Sequence, residues 1–418
     1  MIKQQKIDHL FRHQYGKMVS ILTRIFGLSH LETIEDAVQD TFLTATLKWR
    51  NELPENPEAW LTKAAKNRVL DLLRKITADQ KRISNLNSGP SAITINHLFL
   101  DHEIEDSQLR MIFTACHPEL KAQDQIAFAL KTIAGFSSKE IASALLLKET
   151  AVKKRLTRAR KTIKDKSITF ELPERNTIKN RLHRVHEVIY LIFNEGFHSN
   201  RKDMLIRRNL CGEAIRLCQL LLKKEHYRTG GGYALFSLLC FHAARLESKL
   251  SEDGKIIDLK HQNRSLWYAP LIALGKDSMT KSYQYNEISS YQMEAAIASE
   301  HLKAKTFGDT DWSKILVYYQ SLDKLQNSSF TSLNIAIVLL QLQRNDEALK
   351  VLSEIDPDQL EQRAYLFYGT QAEYYKNTNE IGKAIDSLDK ALQMVSNSSE
   401  KAYLKAKKTV LLSNLTRP

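Results

Sequence analysis

The stretch GFSSKEIASALLLKETAVKKRLTRARKTIKDK, from Gly135 to Lys166, decides how the first part of the chain folds. Ser137 with Glu140 three residues later predicts a capping box at the start of a short helix. A turn is predicted near Leu146, and a second helix from about Glu149. Apolar residues recur along this second helix at steps of four, three and four: Val152, Leu156, Ala159 and Ile163. The spacing predicts a helix-turn-helix unit.

The second helix of this unit is strongly basic. From Lys148 to Lys166 there are nine Lys or Arg against Glu149 and Asp165, a net charge of +7. Opposite the apolar stripe lie Lys153, Lys154, Arg158, Lys161 and Lys164. A helix with one apolar and one cationic face suits DNA, because phosphate contacts release counterions and give affinity. A merely solvated helix face is the alternative, and the capped helix before it argues against that interpretation.

The bulk composition is that of a basic, water-soluble protein. The 418 residues carry a net charge of +13, which favours a polyanionic partner. The four cysteines form no C-x-x-C pair, so we expect buried thiols, no zinc or redox site and no cofactor. The N-terminus lacks an apolar signal core, and no run of 18 apolar residues occurs. We therefore expect a cytoplasmic protein that does not contact a membrane.

The chain before this unit is predicted to be helical. A first helix is expected over Ile7–Phe26, ended by Gly27, and a second over Thr33–Ala45. The second helix presents an acidic and polar surface, which composition alone would assign to a solvated face: Glu35, Asp36, Gln39 and Asp40.

A third helix is predicted after an Asn56 cap with Pro57 in its first position. Its sequence PEAWLTKAAKNRVLDLLRK has an apolar face that begins at Trp60, and Arg68 is expected to pair with Asp71. Basic and polar residues face outward: Lys63, Lys66, Asn67, Arg74 and Lys75. Two basic helical modules in one chain favour an extended contact with nucleic acid.

These segments, in this order, resemble a bacterial RNA polymerase sigma factor of the extracytoplasmic-function class. DAVQDTF, Asp36 to Phe42, looks like the helix that binds the polymerase clamp. PEAWLTKAAKNRVLDLLRK looks like the regions that melt and read the −10 element. The helix-turn-helix stretch looks like the region that reads the −35 element. The resemblance spans residues 1–166 with almost no gaps.

The resemblance implies roles for individual residues. The core-polymerase interface would include Asp36, Gln39, Asp40 and Phe42. The −10 contacts would come from Lys63, Lys66, Asn67 and Arg74. The −35 contacts would come from Lys148, Thr150, Lys153, Lys154, Arg158 and Arg160. The chain departs from many relatives at Leu146, where they have Gly, so its turn is expected to differ in shape.

The C-terminal half extends well beyond an ordinary member of the class. Ala336, Leu339, Ala348 and Leu352 recur 36 residues later as Ala372, Tyr375, Ala384 and Leu388. This spacing resembles a tetratricopeptide (TPR) repeat and predicts an α-solenoid that binds a protein, a peptide or the polymerase. His183, His186 and His198 are weak candidates for metal ligands, since no third ligand stands at helical spacing. Asn194-Glu195-Gly196 is interpreted as a helix end.

Together these features predict an all-α protein with two small helical sigma domains, the second with a helix-turn-helix, followed by a TPR-like α-solenoid. The expected divisions are residues 1–76 for region 2, 77–104 for a flexible linker, 105–170 for region 4 and 175–418 for the C-terminal domain. We expect no enzyme, since no catalytic motif occurs. The predicted function is promoter recognition with core RNA polymerase. A free-standing helix-turn-helix regulator with a ligand- or peptide-sensing domain is the alternative.

Overall fold

The computed structural model describes residues 2–49, 53–81, 101–145, 147–174, 177–198, 206–395 and 397–415. These residues form helices joined by turns, and the only strand-like pairing among them is one antiparallel bridge between Leu250 and Ile256. The predicted all-α fold is confirmed. The chain divides into two compact units. The first runs to Gly196 and resumes over Asn209–Tyr227, and the second comprises Phe197–Arg208 and the chain from Arg228 onward.

The first unit is built mainly from nine helices within the described ranges. They are α1 (Ile2–Phe26), α2 (Leu31–Lys48), α3 (Pro57–Lys81), α4 (Asp101–Ala115), α5 (Ala122–Thr132), α6 (Ser138–Ala144), α7 (Glu149–Asp165), α8 (Ile178–Phe197) and α9 (Arg208–Lys223). The first of them begins five residues earlier than the sequence predicted, and it ends before Gly27 as expected.

The predicted caps and the helix-turn-helix are confirmed. The Glu140 amide donates to the Ser137 hydroxyl at 3.2 Å, and the Ser137 amide donates to the Glu140 carboxylate at 2.8 Å. The amide of Ala59, in the first turn of α3, donates to the Asn56 side chain at 3.0 Å. The predicted apolar stripe of α7 is buried: Val152, Leu156, Ala159 and Ile163. Leu146 lies outside the described residues, so the expected shape of that turn stays a prediction.

Helix α1 comes very close to the backbone at the end of α5 inside the first unit. Helix α1 packs against α4 and α5. A Cβ atom on Gly16 would stand only 2.2 Å from the Ile133 carbonyl oxygen, so α1 approaches the backbone after α5 where no side chain intervenes. Gly135 has a φ of +66°, and a Cβ there would meet the buried ring of Tyr15 at 2.7 Å. Glycine is therefore required at both positions, once for space and once for space and backbone conformation together.

Helix α9 completes the first unit. Its buried Glu213 contacts His13 of α1 at 3.2 Å, and Arg216 donates to Gln108 of α4 at 3.1 Å. The ring of Tyr227, just after α9, packs on Phe113 of α4 at 4.9 Å between centroids. The compact first unit therefore includes residues far beyond the helix-turn-helix, while the predicted domain boundaries stay a prediction.

The cysteines and the Asn194-Glu195-Gly196 segment have purely structural settings. Cys116, Cys211, Cys218 and Cys240 are all buried thiols outside disulfides, as predicted, and burial raises the pKa of Cys116 to about 12. The Asn194-Glu195-Gly196 segment lies at the end of α8 as interpreted, although Gly196 is the penultimate residue of the helix, which ends at Phe197. A Cβ on Gly196 would stand 2.8 Å from the Cys211 backbone nitrogen, so the glycine lets α9 approach α8.

The second unit continues with helices packed in sequence along the chain. They are α10 (Gly230–Ala243), α11 (Ala269–Ser282), α12 (Ser290–Lys303), α13 (Trp312–Gln326), α14 (Ser329–Gln341), α15 (Asn345–Ser353), α16 (Ala364–Asn377), α17 (Ile381–Met394) and α18 (Ser398–Leu415). The 36-residue recurrence falls on two successive helix pairs, α14 with α15 and α16 with α17. Tyr368 and Tyr375 of α16 pack against both of the hydrophobic clusters that these pairs form. The repeated positions are therefore core positions of stacked helix pairs.

Candidate nucleic-acid and protein interface

Helix α7 presents the predicted cationic face to solvent. Opposite its buried stripe the exposed residues are Lys148, Thr150, Lys153, Lys154, Thr157, Arg158, Lys161 and Lys164. Lys153 is paired with Glu149 one turn earlier at 2.8 Å. Lys154 and Lys161 make no ion pair with any of the residues that the structure describes. These two side chains are therefore available to a polyanion at the centre of the face.

Arg158 is held in place by a buried carboxylate. Its Nε donates to Oδ2 of Asp124 at 2.6 Å, and its Nη2 donates to the other carboxylate oxygen. The Asp124 side chain is only 2% exposed and lies in the first turn of α5, whereas Arg158 is 46% exposed. This bidentate bond raises the pKa of Arg158. The predicted −35 residue Arg158 thus also ties α7 to the helix that supports it.

Arg160 points to a different part of the first unit. Its Nη2 donates to Oε2 of Glu35 on α2 at 2.7 Å, and its Nη1 lies 3.9 Å from Glu32. The Glu35 side chain is 2% exposed, and burial raises its pKa although Arg160 opposes that shift. Arg160 was assigned by resemblance to the −35 contacts. In this structure it joins the helix-turn-helix to α2 instead of standing on the open cationic face.

Helix α3 carries the four residues that the resemblance assigns to the −10 element. Lys63, Asn67 and Arg74 are exposed and Lys66 is half-buried, all on the side away from the buried Leu61, Ala65 and Val69. The expected bond between Arg68 and Asp71 is wrong. Arg68 instead donates to Asp40 of α2 at 2.8 Å, and Asp71 lies 3.8 Å from Arg74. A spatially close carboxylate on a neighbouring helix has replaced the partner one turn away.

Helix α2 holds the residues that the resemblance assigns to core polymerase. Asp36 and Gln39 are exposed, and Asp40 is partly covered by its bond to Arg68. Partial burial and the neighbouring Glu32 raise the pKa of Asp36. Phe42 is only 4% exposed and packs edge to face on Phe11 of α1 at 4.9 Å between centroids. Phe42 therefore packs α2 onto α1, and Asp36 and Gln39 belong to the accessible surface of α2.

Two leucines on α2 belong to that surface and were missed from the sequence. Leu43 is 62% exposed and Leu47 is 55% exposed, one turn apart. With Asp36, Gln39 and Asp40 they continue one stripe along the helix, since these positions recur every three or four residues. Exposed leucines beside acidic groups are typical of a protein-binding surface. The signal was present in the sequence, because neither leucine fits the inward stripe of α2.

A metal site is not formed by the histidines considered above. Within the described part of the chain, no group of three or more His, Cys, Asp or Glu side chains is arranged to hold a metal ion. His186 is buried, which lowers its pKa to about 4, and His198 contacts Glu400 at 2.9 Å. No helix in the described part of the chain is both long and apolar enough to cross a membrane.

Three family descriptions match successive parts of the chain. Sigma-70 region 2 matches residues 10–78, and Sigma-70 region 4 matches residues 110–163. These spans contain α2 with α3 and the helix-turn-helix, respectively. A family of unknown function, DUF6596, matches residues 181–283. The matched regions therefore include every residue proposed above for polymerase or DNA contact.

Two relatives extend this result. The ECF RNA polymerase sigma factor SigE of Mycolicibacterium smegmatis is 26% identical over 166 residues, 38% of this chain and 60% of that protein. Uncharacterized protein R00370 of Rhizobium meliloti (strain 1021) is 31% identical over 386 residues, 90% of this chain and 89% of that protein. The chain therefore belongs to the same family as R00370, and it carries sigma-70 region 2 and region 4 domains followed by a helical C-terminal region.

Proposed function

We propose that this chain is an RNA polymerase sigma factor of the extracytoplasmic-function class, which binds core polymerase and directs it to promoters with −10 and −35 elements. The observation that carries the proposal is the presence of two helices with exposed basic residues, α3 and α7, together with an exposed acidic and leucine-bearing stripe on α2. The matches to sigma-70 regions 2 and 4 support it. A DNA-binding regulator that acts alone has no need of the stripe on α2.

Different residues would bind the polymerase, the −35 element and the −10 element. None of these roles involves covalent chemistry, and we propose that the chain is not an enzyme. Asp36, Gln39, Leu43 and Leu47 would contact the polymerase. Lys154 and Lys161 would bind phosphates in and beside the −35 major groove, with Thr150 near the helix N-terminus. The outward residues of α3 would hold the −10 backbone while unpaired bases bind the protein. Strand opening follows when unpaired bases are bound more tightly than paired ones.

The C-terminal helices are proposed to regulate this activity. Their stacked pairs and the 36-residue recurrence support a TPR-like arrangement that binds a protein or peptide. We propose a division into region 2 (1–76), a linker (77–104), region 4 (105–170) and a C-terminal domain (175–418). The proposed location is the cytoplasm, where core polymerase and promoter DNA are found.

Reconstitution with core bacterial RNA polymerase tests the proposal. The full chain should co-elute with core polymerase and should support run-off transcripts from genomic fragments that core alone does not give. Leu43→Ser with Leu47→Ser should reduce co-elution, while the exposed control Lys350→Ala in the C-terminal region should not.

The alternative gives a different result in the same experiment. A free-standing helix-turn-helix regulator would bind specific DNA fragments without polymerase, would not co-elute with core and would add no new transcripts. That outcome, from protein with a native circular dichroism spectrum, would reject the sigma-factor proposal.

A further inference from the structure

The second unit contains a group of basic side chains that no role discussed above explains. Arg245 follows α10, Arg264 lies in a short 3₁₀ turn before α11, and His301 lies in the last turn of α12. They are 19 and 37 residues apart in sequence, and all three are partly buried. None of them has an acidic partner within ion-pair distance among the residues that the structure describes. Charges removed from water are normally paired, so this grouping calls for an explanation.

Hydrogen bonds and ring stacking hold part of the group in place. Nη1 of Arg264 donates to the backbone carbonyls of His301 at 2.5 Å and of Ala304 at 2.6 Å, so it caps the end of α12. The same guanidinium stacks over the ring of Trp267 at 4.6 Å, and the indole of Trp267 donates to Ser248 at 2.9 Å. Arg264 is therefore held rigidly by three neighbours.

His301 and Arg245 are the other two members of the group. His301 packs on Trp312 at 5.3 Å between ring centroids, and its Nδ1 is buried with no hydrogen-bond partner, as is Nη2 of Arg264. The guanidinium of Arg245 lies 6.0 Å from the ring of Phe197, and Lys249 lies 3.4 Å from the same ring. Asp309 is the nearest acidic influence on Arg264, and it is exposed.

The charges repel one another in the absence of an anion. Burial and the neighbouring Arg264 lower the pKa of Arg245 to about 10. Burial and the two arginines lower the pKa of His301 to about 4. Two guanidiniums and an imidazole that are near enough to shift one another's pKa offer donors to an oxyanion, and a dianion would offset both arginine charges at once.

We propose that Arg245, Arg264 and His301 form a binding site for a small dianionic oxyanion, such as a phosphate monoester, flanked by Trp267 and Trp312. Arg264 supplies Nη2 from a fixed position, Arg245 supplies a second guanidinium, and His301 donates through Nδ1 in the tautomer that carries the proton there. This inference does not rest on the sigma-factor proposal, because anion binding and transcription are measured separately.

Inorganic phosphate is the probe, and the tryptophans supply the readout. The chain has four Trp residues, of which Trp49 and Trp60 lie in the first unit and Trp267 and Trp312 beside the proposed site. The full-length protein, purified without phosphate or sulfate, is titrated with sodium phosphate at constant ionic strength set by chloride. We expect a saturable change in tryptophan fluorescence and a rise in Tm, with sulfate competing. Trp267→Phe should remove most of the fluorescence change, because this ring stacks on Arg264.

Arg245→Met tests the site because the Arg245 side chain makes no capping hydrogen bond in the structure. It should weaken phosphate binding about tenfold or more, as expected for the loss of a charge-assisted hydrogen bond. Arg245→Lys, which keeps the charge but loses the planar fork, should give an intermediate affinity and provides the test should the Met variant fail to fold. The matched control Arg344→Met removes an exposed arginine that is paired with Glu347, and it should bind as the wild type does.

Two outcomes would overturn the proposal. One is a wild-type protein whose fluorescence and Tm respond to phosphate no more than to chloride. The other is an equal phosphate affinity in the wild type and in a folded Arg245 variant, since the anion would then bind elsewhere. Neither outcome bears on promoter recognition, which the run-off assay measures independently.

Discussion

The cationic face of α7 and the basic group around Arg245 place similar side chains in opposite settings. On α7 the two arginines at the edges are paired with carboxylates that are 2% exposed, while Lys154 and Lys161 stand in water. Around Arg245 the cations are half-buried and have no ion pair among the described residues. A positive charge thus ties two helices together in one setting, stands in water in another and lies half-buried without a carboxylate in the third.

The largest expected effect comes from breaking the structural tie on α7. Arg160→Ala leaves the carboxylate of Glu35 buried without its cation, and should lower the free energy of unfolding of the first unit by about 3 kcal/mol. Chemical denaturation followed by the fluorescence of Trp49 and Trp60, in a background with Trp267→Phe and Trp312→Phe, measures it. Glu35→Gln added to Arg160→Ala should recover part of the loss. An unchanged midpoint in Arg160→Ala would show that this pair carries no stability.

The half-buried group should show itself in the dependence of stability on pH. The pKa of His301 is near 4 in the folded protein and about 6.5 unfolded, so the unfolded state binds the proton first as the pH falls. The stability of the second unit should therefore be full above pH 6.5 and fall toward pH 4, by roughly 3 kcal/mol from this residue. His301→Gln should flatten the curve by that amount, as read by Trp267 and Trp312. The exposed His226→Gln is the control, and an equal flattening there would contradict the assignment.

The exchangeable lysines of α7 should affect DNA binding and leave the fold intact. Lys154→Ala with Lys161→Ala should weaken promoter binding by the polymerase complex about tenfold. The slope of log affinity against log salt should become shallower by about 1.8, since each lost phosphate contact removes about 0.9. Filter binding at several salt concentrations measures both quantities. The control Lys276→Ala with Lys350→Ala has the same net charge as Lys154→Ala with Lys161→Ala. An equal loss of DNA binding in the control would show that only the overall charge matters.

The smallest expected effect concerns the leucines of α2. Leu47→Ser alone should weaken binding to core polymerase about fivefold, or about 1 kcal/mol, because a half-exposed leucine buries limited apolar area. Stability should be nearly unchanged, since 55% of the residue is already exposed. Surface plasmon resonance with immobilised core polymerase gives the affinity. A large loss of stability instead would place Leu47 in the core of the first unit.

The sequence was sufficient for features set by neighbours along the chain. The stripe Val152 to Ile163, the Ser137–Glu140 capping box and the Asn56 cap depend on spacings of three or four residues, and all are confirmed. Where a partner comes from another helix, local reasoning was wrong. Arg68 bonds Asp40 rather than Asp71, and the close approach of Cys211 to Gly196 depends on a second helix.

The same distinction explains what was missed at the candidate sites. Arg160 is a basic residue on a basic helix, as a DNA contact would be. Its orientation, however, depends on Glu35, 125 residues earlier. Arg245, Arg264 and His301 look like isolated basic residues until the fold brings them together. Sequence periodicity describes one helix at a time, and it carries no information about which distant carboxylate is near a given cation.

The close approach at Gly16 has a mechanical consequence for the protein. One methyl group at that position would act as a wedge between α1, which carries region 2, and the backbone that follows α5 in region 4. Such a change would push the two segments apart at this point and would alter no charge. Gly16 therefore gives a single-atom control over how closely the two regions are held together.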